Sequence, residues 1–557
     1  MGIPLYFKSI YDDYPEIIIN DIDGLSNLFL DLNCAIHPCC ANILSNYNSQ
    51  EITKANLEKK MINETINYIE FILSKVNPKL LYVAIDGVAP LAKMNQQRLR
   101  RYKSIFEKKQ INSIKDELNI PLESNSWDKN AISPGTEFMD KLIKQLNSYL
   151  KTLKEKNKNI TIIFSSSYIN GEGEHKILDY IRHNQLSGNI IIYGLDADLI
   201  MLAMASHRNN VYLLREAIEF GKKIDNKLLY LDINLFKNRL IGSLKEKLNV
   251  IDNGFFINDN DSLRMIDDYI FMCFLMGNDF LPHNLAIDLR YDGHDIILDA
   301  YLNNYSINKE FLVDTGKMRI NNRMLYSLLT ILHSKEDDQL VKIQKRRNRF
   351  RMNTNMCETE FDRRMLLIKN DPIINNYEER KVDFSNKYWR TKYYKQCFDI
   401  EDSEEIEEVC YNYFEGLKWT FFYYFKECVS YEWKYNYVHP PTLLDLKNYL
   451  VNHDINKIKF NRGNVNHPIV QLLSILPQES KDLVPIEYRK LMNKSSEIGI
   501  YYPSSYKLDK FFKRYDWMCV PILPDLDINI INKIFRKVTM SKTIKERFST
   551  NSELLVF

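Results

Sequence analysis

The stretch "LLYVAIDGVAPLAKMNQQRLRR", residues 80–101, contains the pattern that decides the fold. It opens with an apolar run, reaches an acid at Asp86 and continues into a basic segment. A short run that is apolar throughout, rather than at alternate positions, is typical of a strand buried on both faces of a parallel sheet. The same pattern occurs in "LFLDL" (28–32), "ITIIFSS" (160–166) and "NIIIYGLDAD" (189–198).

Helical patterns separate these apolar runs. They include "ANLEKKMINETINYIEFIL" (55–73), "GTEFMDKLIKQLNSYLKTLKEK" (135–156) and "GEHKILDYIRHN" (173–184). Strands that alternate with helices along a chain indicate an α/β fold with right-handed crossovers. The sequence therefore predicts a mainly parallel sheet flanked by helices over the first two hundred residues.

Acidic residues come at the carboxyl ends of the predicted strands, where open α/β sheets bind their ligands. The loops supply no comparable cluster of Lys or Arg. Each acid alone could be a helix N-cap or a turn residue, but "EGE" and "DAD" each present a second acid that a cap does not need. Hard oxygen ligands favour Mg²⁺ or Mn²⁺ over zinc. The acids are Asp31, Asp86, Glu172, Glu174, Asp196 and Asp198, with Asp279 behind a later apolar run.

A zinc module is the alternative for the segment that follows Asp31. Its possible ligands are Cys34, His37, Cys39 and Cys40. Structural zinc sites usually take two pairs of ligands from separated segments, and no second pair follows here. We therefore interpret the thiols as buried packing residues and assign the metal chemistry to the carboxylates.

Composition indicates a globular protein without a secretory or membrane-spanning segment. The start of the chain turns polar too early for a signal peptide, and no apolar run approaches the ~18 residues of a spanning helix. The nine cysteines are odd in number and mostly scattered, which suits a reducing compartment. We expect a soluble intracellular protein, in the cytoplasm or nucleus, or in the host cytoplasm if it is viral.

Charge is unevenly distributed although the net charge is only +2. Residues 93–109 and 342–351 are strongly basic, whereas "EDSEEIEE" (401–408) is acidic. Such runs are more often solvated faces than binding sites. The run at 342–351 is interpreted as a mobile linker, with an RNA path as the alternative, and the acidic run as surface.

An ordered set of motifs extends along the first half of the chain: "MGIPLYFKSI", "LDLNCAIH", "YVAIDGVAPLAKMNQQRLRRYKS", "ISPGTEFM", "NGEGEHKILDYIR", "YGLDADLIMLAMASH", "LLRE" and "CFLMGNDFLPH". This set resembles the eukaryotic-type 5′→3′ exoribonucleases, the XRN family. In the second half, "YWRTKYYKQCF", "EGLKWTFFYYFKECVSYEWKYNYVHPPTLLDL" and "YYPSSYKLDKFFKRYDWMCVPILPDLD" resemble the second conserved region of that family. The resemblance spans about residues 1–530. It implies a minimal catalytic core without the C-terminal extension of the larger members.

The resemblance implies a role for each acid. All seven acids predicted from the strand ends occupy metal-site positions of the family, which implies two Mg²⁺ (or Mn²⁺) ions. Asp267 and Asp268 also lie in a family-like stretch and rank second, because a pair at the start of a helix would explain them.

The 5′-monophosphate pocket of the family maps to Lys93, Gln97, Arg100 and Arg101. In a helix, these positions follow i, i+4, i+7 and i+8 and lie on one face. The guanidinium group of arginine can bind a phosphate through two parallel hydrogen bonds. A solvated basic helix is the alternative interpretation.

Base stacking is implied at His37 and Trp433. In the segment "SYEWKYNY" one tryptophan of the family is replaced by Tyr431 while Trp433 persists, so either ring could stack on a base.

The domains expected are a PIN/flap-nuclease-like domain at 1–340, a basic linker at 341–375 and a mainly helical region at 376–557 that closes the active site. The function implied is processive 5′→3′ hydrolysis of 5′-monophosphorylated single-stranded RNA by a two-metal mechanism, in a monomer that does not bind membranes. The alternatives are a flap-type DNA nuclease, which would use the same kind of acidic metal site, and a non-catalytic RNA-binding scaffold. The intact "KMNQQRLRR" disfavours the first alternative, and retention of all seven acids disfavours the second.

Overall fold

A computed structural model describes residues 6–46, 52–122, 127–219, 222–252, 258–355, 357–549 and 553–557. The first five residues of the family-like opening "MGIPLYFKSI" lie outside this part of the chain. The strands are β1 (Ile18–Ile19), β2 (Ser26–Asp31), β3 (Leu80–Ala84), β4 (Thr161–Ser165), β5 (Asn189–Tyr193), β6 (Val211–Glu219), β7 (Lys222–Asp232), β8 (Val313–Asp314), β9 (Arg319–Ile320), β10 (Leu508–Asp509), β11 (Val520–Pro521) and β12 (Leu555–Val556).

A mainly parallel sheet forms the centre of the molecule. Among the described residues, eight strands make it up, in the order β1-β7-β6-β5-β2-β3-β4-β12. The strands from β6 through β5, β2 and β3 to β4 run parallel. Antiparallel pairs extend the sheet at both edges. The predicted α/β class with a mainly parallel sheet is confirmed, and each of the four apolar runs lies in a strand.

The central strands are buried on both faces, as their continuous apolar runs predict. Successive side chains of a strand point to opposite faces, and the core divides accordingly. Phe29 and Tyr82 pack into one hydrophobic cluster, whereas Leu28, Leu30 and Val83 pack into another on the opposite face. Both faces are therefore covered by helices, which leaves the strand ends as the accessible part of the sheet.

Helices cover the sheet and build the second half of the chain. In the first part they are α1 (Tyr6–Asp13), α2 (Asn33–Asn46), α3 (Lys54–Val76), α4 (Leu91–Glu117), α5 (Glu137–Lys156), α6 (Gly173–His183), α7 (Asp198–Ala205), α8 (Ile233–Ile251), α9 (Asp259–Cys273), α10 (Gly293–Asn308), α11 (Asn322–His333) and α12 (Glu336–Asn348). The remainder are α13 (Glu360–Lys369), α14 (Asp371–Ile374), α15 (Tyr377–Val382), α16 (Trp389–Phe398), α17 (Ser403–Phe425), α18 (Leu443–Asn452), α19 (Pro468–Ile475), α20 (Ile486–Arg489), α21 (Ile528–Lys537) and α22 (Lys542–Phe548).

The segment expected to be a basic linker is largely helical, which corrects the interpretation of 342–351 as a mobile connection. Most of this run lies in α12, and Arg347 forms an ion pair of 2.7 Å with Glu379 of α15. Both side chains are only 1% exposed. A buried pair of this kind needs its partner in place, because an unpaired charge in the interior is costly. The division of the chain at 340 and 376 stays a prediction.

Candidate active site

Six of the predicted acids lie at the carboxyl ends of four adjacent strands. Asp31 is the last residue of β2, and Asp86 follows β3 after one intervening residue. The loop after β4 leads to Glu172 and Glu174 at the start of α6, and Asp196 and Asp198 follow β5. Strand order reverses between β5 and β2, so this edge is the topological switch point at which α/β sheets bind ligands.

Gly173 brings the ends of β2 and β3 to the start of α6. Its backbone N–H donates to Asp86 Oδ1 at 2.7 Å, while Asn33 Nδ2 donates to Asp86 Oδ2 at 2.6 Å. A Cβ atom at this glycine would lie 2.6 Å from Asp31 Oδ1 and 3.5 Å from Asp86 Oδ1. Only glycine leaves the space in front of these two carboxylates open.

Lys93, predicted for the phosphate pocket, lies among the acids. Its Nζ is 2.5 Å from Glu172 Oε2 and 2.8 Å from Asp279 Oδ2. Burial alone would lower the pKa of Lys93, but the carboxylates of Glu172 and Glu174 raise it above its usual value. The contact also brings Asp279, which lies far along the chain, into the cluster.

A second lysine lies beneath the cluster. Lys176 of α6 donates to the backbone oxygens of Ile85 at 2.7 Å and Ser166 at 3.0 Å. Burial lowers the pKa of Lys176 to about 7, against the opposing effect of Asp86 and Asp31. The acids are therefore accompanied by two lysines, Lys93 and Lys176, although both come from helices and not from the acid-bearing loops.

The carboxylates are buried with too little positive charge around them. Burial, and then the neighbouring charges of Asp86 and Asp196, raise the pKa of Asp31 to about 8. Burial likewise raises the pKa of Glu174 well above its usual range, with Glu172 adding to the effect and Lys93 opposing it. A bound cation would lower these pKa values, because it favours the charged form of each acid.

The donor set fits a hard divalent cation. Asp31 Oδ1 is buried without a hydrogen-bond partner, although buried carboxylate oxygens normally have one. The other candidate donors are also carboxylate oxygens, which suit Mg²⁺ or Mn²⁺. As the described side chains stand, no three acidic, histidine or cysteine groups converge closely enough to hold one ion. Carboxylates such as Glu172 and Asp279, now paired with Lys93, would have to rotate toward it.

The basic segment forms the expected helix, α4, with Gln97 and Arg101 buried and Arg100 exposed. Arg101 donates to Ser133 Oγ at 2.7 Å, while its Nη1 is buried without a partner. Burial, and then the charge of Arg100, lower the pKa of Arg101 to about 9. Within the described part of the chain, no carboxylate pairs with Arg101, so its charge is available to an anion.

The two predicted stacking residues differ in accessibility. The His37 side chain of α2 is exposed. Desolvation, and then the charges of Arg100 and Arg101, lower the pKa of its ring to about 4. Trp433 is only 8% exposed and stacks on Trp419 with ring centroids 5.2 Å apart. Tyr431 is partly exposed and accepts a hydrogen bond from the backbone N–H of Leu91 at the start of α4. His37 and Tyr431 are therefore the rings that a base could reach without rearrangement, and the stacking roles stay predictions.

Tyr423 is a site residue that the sequence reasoning missed. Its hydroxyl donates to Glu172 Oε1 at 2.6 Å, and its ring stacks on His175 with centroids 3.7 Å apart and on Trp419 at 4.6 Å. Tyr423 lies in α17, more than two hundred positions after the six strand-end acids. Its only signal was membership of the aromatic run "WTFFYYF", which reads equally well as core.

The acids of second rank lie outside the cluster. Asp267 contacts His207 Nε2 at 2.8 Å, and Asp268 accepts from the backbone N–H groups of Leu312 and Val313 at 2.8 and 2.9 Å. Both belong to α9 and tie it to its neighbours. Their contacts indicate a structural role.

The cysteines of the rejected zinc module do not share one site. Cys39 and Cys40 of α2 are buried, and Cys39 Sγ is 3.8 Å from the backbone oxygen of Glu64. Cys34, in contrast, donates to Asp31 Oδ2 at 3.3 Å. The three thiols therefore face different surroundings.

Comparison with protein families gives two matches that together cover most of the chain. The family model described as "XRN 5'-3' exonuclease N-terminus" matches residues 1–217. The model described as "Xrn1 helical domain" matches residues 259–388 and 368–557. The six strand-end acids thus fall in the first match, and Asp279 and the aromatic run of α17 fall in the second.

Curated relatives resemble the chain along nearly its whole length. It is 27% identical to 5'-3' exoribonuclease 1 of Saccharomyces cerevisiae, over 98% of this chain and 44% of the relative. The corresponding human protein is 29% identical over 95% of this chain and 33% of the relative. 5'-3' exoribonuclease 2 of Arabidopsis thaliana is 28% identical over 100% of this chain and 69% of the relative. The chain thus spans less than half the length of the first two relatives. In the described residues, no helix is long and apolar enough to cross a membrane.

Proposed function

The chain belongs to the XRN family of 5′-3′ exonucleases, and on this premise we propose that it is a processive 5′→3′ exoribonuclease. Its substrate is single-stranded RNA with a 5′-monophosphate, and its products are nucleoside 5′-monophosphates. The observation that carries the proposal is that α4 joins the buried strand-end acids through Lys93 and also carries Arg101, whose Nη1 is buried without a partner. The acids suit a divalent cation, and the guanidinium group suits an anionic RNA end.

Seven acids would hold the ions in this proposal: Asp31, Asp86, Glu172, Glu174, Asp196, Asp198 and Asp279. When bound, two Mg²⁺ or Mn²⁺ ions would supply an activated water and stabilise the leaving 3′ oxygen. Gly173 and Asn33 orient Asp86 through direct hydrogen bonds, and Tyr423 orients Glu172. Such partners fix the direction in which a carboxylate presents its oxygens.

The face of α4 that carries Gln97 and Arg101 would bind the RNA end. Arg101 Nη1 and Gln97 Oε1 are buried without partners, and the amide of Gln97 can turn to present its N–H groups to a phosphate. Lys93, on the same helix, links this face to the acids through its contact with Glu172. In this proposal the site accepts a single 5′-phosphate and excludes a bulkier cap or triphosphate, so the RNA would be decapped or already cleaved. Each cleavage exposes a new 5′-phosphate, which permits the next one. We propose that the enzyme acts as a monomer, in the cytoplasm or nucleus.

The decisive assay uses the purified chain on four matched substrates. We expect Mg²⁺-dependent release of mononucleotides from 5′-monophosphorylated RNA, and much slower release from 5′-hydroxyl RNA, capped RNA and DNA. Chelation of the metal should stop the reaction. The double variant Asp196→Asn with Asp198→Asn serves as the inactive control. A preference for branched DNA would favour a flap nuclease, and tight RNA binding without any hydrolysis would favour a scaffold.

A further inference from the structure

The thiol of Cys34 lies against an acid of the proposed metal site. Cys34 is in the first turn of α2, and its Sγ donates to Asp31 Oδ2 at 3.3 Å. Burial, and then the negative charges of Asp31 and Asp196, raise the pKa of this thiol well above its usual value. A soft sulfur donor therefore lies in direct contact with Asp31, at the carboxyl end of β2.

The separation of the sulfur and oxygen atoms suits two ligands of one ion. Zinc binds thiolate at about 2.3 Å and carboxylate oxygen at about 2.1 Å, which places the two donors about 3.1 Å apart at a right angle and about 3.6 Å apart at a tetrahedral angle. The observed 3.3 Å from Cys34 Sγ to Asp31 Oδ2 lies between these values. An ion could thus replace the thiol proton with little movement of either side chain.

A second observation indicates that Asp31 faces a ligand. Asp31 is only 8% exposed, and its Oδ1 has no hydrogen-bond partner. Gly173 keeps the space beside Oδ1 open, because a Cβ atom there would lie 2.6 Å away. Asp31 therefore offers one oxygen to this space while the other accepts from Cys34.

We propose that Asp31 and Cys34 together bind a thiophilic divalent cation, of the class of Zn²⁺ or Cd²⁺, in competition with Mg²⁺. The inference rests on the proposed function for the identity of the Mg²⁺ site. As the bond between sulfur and metal forms, the thiol proton passes to solvent. Thiolate ligands select soft cations, whereas Mg²⁺ prefers oxygen. A soft ion held by Cys34 and Asp31 withdraws Asp31 from the Mg²⁺ site and so inhibits hydrolysis.

This pair differs from the four-ligand zinc module that the sequence disfavoured. Cys39 and Cys40 lie in the hydrophobic interior, so they contribute no ligand. Asp31 and Cys34 are the two protein ligands, and water completes the coordination. Cys39, on the same helix, provides a matched control for Cys34.

The test is direct binding of Cd²⁺ to the metal-free full chain, followed by ultraviolet absorbance of the thiolate–cadmium bond and by calorimetry. We expect wild-type protein to show this absorbance, and excess Mg²⁺ to suppress it. Cys34→Ser should lose the Mg²⁺-sensitive absorbance and bind Cd²⁺ at least about tenfold more weakly. Cys39→Ser should behave as wild type. Serine keeps a hydroxyl donor for Asp31, so the loss would report on sulfur and not on the orientation of the carboxylate.

Several outcomes would overturn the inference. One is a Mg²⁺-sensitive absorbance that survives in Cys34→Ser, and another is a wild-type signal that Mg²⁺ does not suppress. Equal Cd²⁺ affinity in wild type and Cys34→Ser would do the same. Circular dichroism of each variant checks that it folds, and Cys34→Ala replaces Cys34→Ser if the latter does not.

The same preparations separate this inference from the proposed function. If Mg²⁺ supports no hydrolysis of 5′-phosphorylated RNA while the Cys34-dependent absorbance persists, the function is wrong and the thiol site stands. If hydrolysis proceeds and wild type and Cys34→Ser are inhibited by Cd²⁺ at the same concentration, the function stands and the thiol site is wrong.

Discussion

Asp86 has the best-defined surroundings of the acids, because it accepts hydrogen bonds from Gly173 N and Asn33 Nδ2. Asp86→Asn keeps the size of the side chain and removes its charge. We expect hydrolysis to fall at least about a hundredfold, since loss of a metal ligand costs several kcal/mol of transition-state stabilisation. RNA binding should persist. Asp179→Asn, at an exposed position of α6, is the control. Full hydrolysis by a folded Asp86→Asn protein would remove Asp86 from the catalytic site.

Arg101 tests recognition of the RNA end. A 5′-monophosphate carries more negative charge than an internal phosphate, and Arg101 has a buried guanidinium nitrogen without a partner. A charge-assisted hydrogen bond contributes about 1.5–3 kcal/mol, so Arg101→Ala should slow hydrolysis of 5′-phosphorylated RNA by about tenfold to a hundredfold. Hydrolysis of 5′-hydroxyl RNA should change less, because general attraction to RNA uses a wider surface.

The control for Arg101 is Lys109→Ala, which removes an exposed cation of the same helix that pairs with Glu479. It should leave the ratio between the two substrates unchanged. If Arg101→Ala slows both substrates equally, Arg101 supports the fold or attracts RNA in general and does not read the 5′ end.

At the scale of single residues, the sequence predicted those site residues that directly follow a recognisable strand pattern. Asp31 and Asp86 follow strands, so the topology of an α/β sheet was enough to bring them together. Tyr423 could not be predicted in this way, because its contact with Glu172 depends on how α17 packs against the sheet. Lys93 was expected to face phosphate, and its contacts with Glu172 and Asp279 follow from the position of α4 beside the strand ends.

Among the elements, the strands and helices with strong hydrophobic periodicity were predictable, and α12 was not. Its positive charges suggested a solvated linker. The structure instead buries Arg347 against Glu379, thirty-two positions away in the sequence. An ion pair across that distance gives no local signal, because neither residue alone departs from a surface pattern. The same reasoning explains why the second half of the chain was predicted only as mainly helical.

Helix α17 connects the helical half to the acid cluster, and Tyr423 tests this connection. Tyr423→Phe keeps the ring that stacks on His175 and Trp419 and removes the hydroxyl that holds Glu172. We expect about a tenfold rise in the Mg²⁺ concentration for half-maximal hydrolysis, which is the usual effect of losing a hydrogen bond to a metal ligand. Calorimetric Mg²⁺ affinity should fall in parallel, which a merely structural role would not cause.

The control for this prediction lies on the same helix. Tyr413→Phe removes a buried hydroxyl that donates to the backbone oxygen of Pro282 at 3.3 Å, outside the acid cluster. It should lower stability without changing the Mg²⁺ requirement. A Tyr423→Phe protein with the Mg²⁺ requirement of wild type would show that Glu172 is oriented without Tyr423.

On the scale of the whole molecule, α4 lies between the two halves of the chain. Its first residues, including Leu91 and Met94, share a hydrophobic cluster with the segment from Ile469 to Ile534. Strand β12, near the end of the chain, pairs with β4 at the edge of the sheet. Contacts between such distant segments could not be predicted from local periodicity. They place the proposed phosphate-binding face of α4 on a helix that both halves hold in position.

This arrangement predicts that residues 1–340 do not fold by themselves. Without the second half, Leu91 and Met94 would lose their cover, at a cost of roughly 1.5–3 kcal/mol each. Lys103 would lose its buried partner Asp516, and Arg98 would lose the backbone oxygen of Tyr501. The fragment would thus lose both the apolar burial and the polar contacts that fix α4, and the sum is a large part of the stability of an ordinary domain.

Denaturant unfolding followed by circular dichroism and by tryptophan fluorescence provides the measurement. For the full chain we expect the two signals to change together in one transition, because both halves share the α4 core. The 1–340 fragment should lack a cooperative transition and be digested rapidly by protease, and addition of a 341–557 fragment should restore protection to some degree. A cooperative transition of 1–340 alone, at a denaturant midpoint near that of the full chain, would mean that α4 does not depend on the second half. The helical region would then serve RNA binding without supporting the nuclease fold.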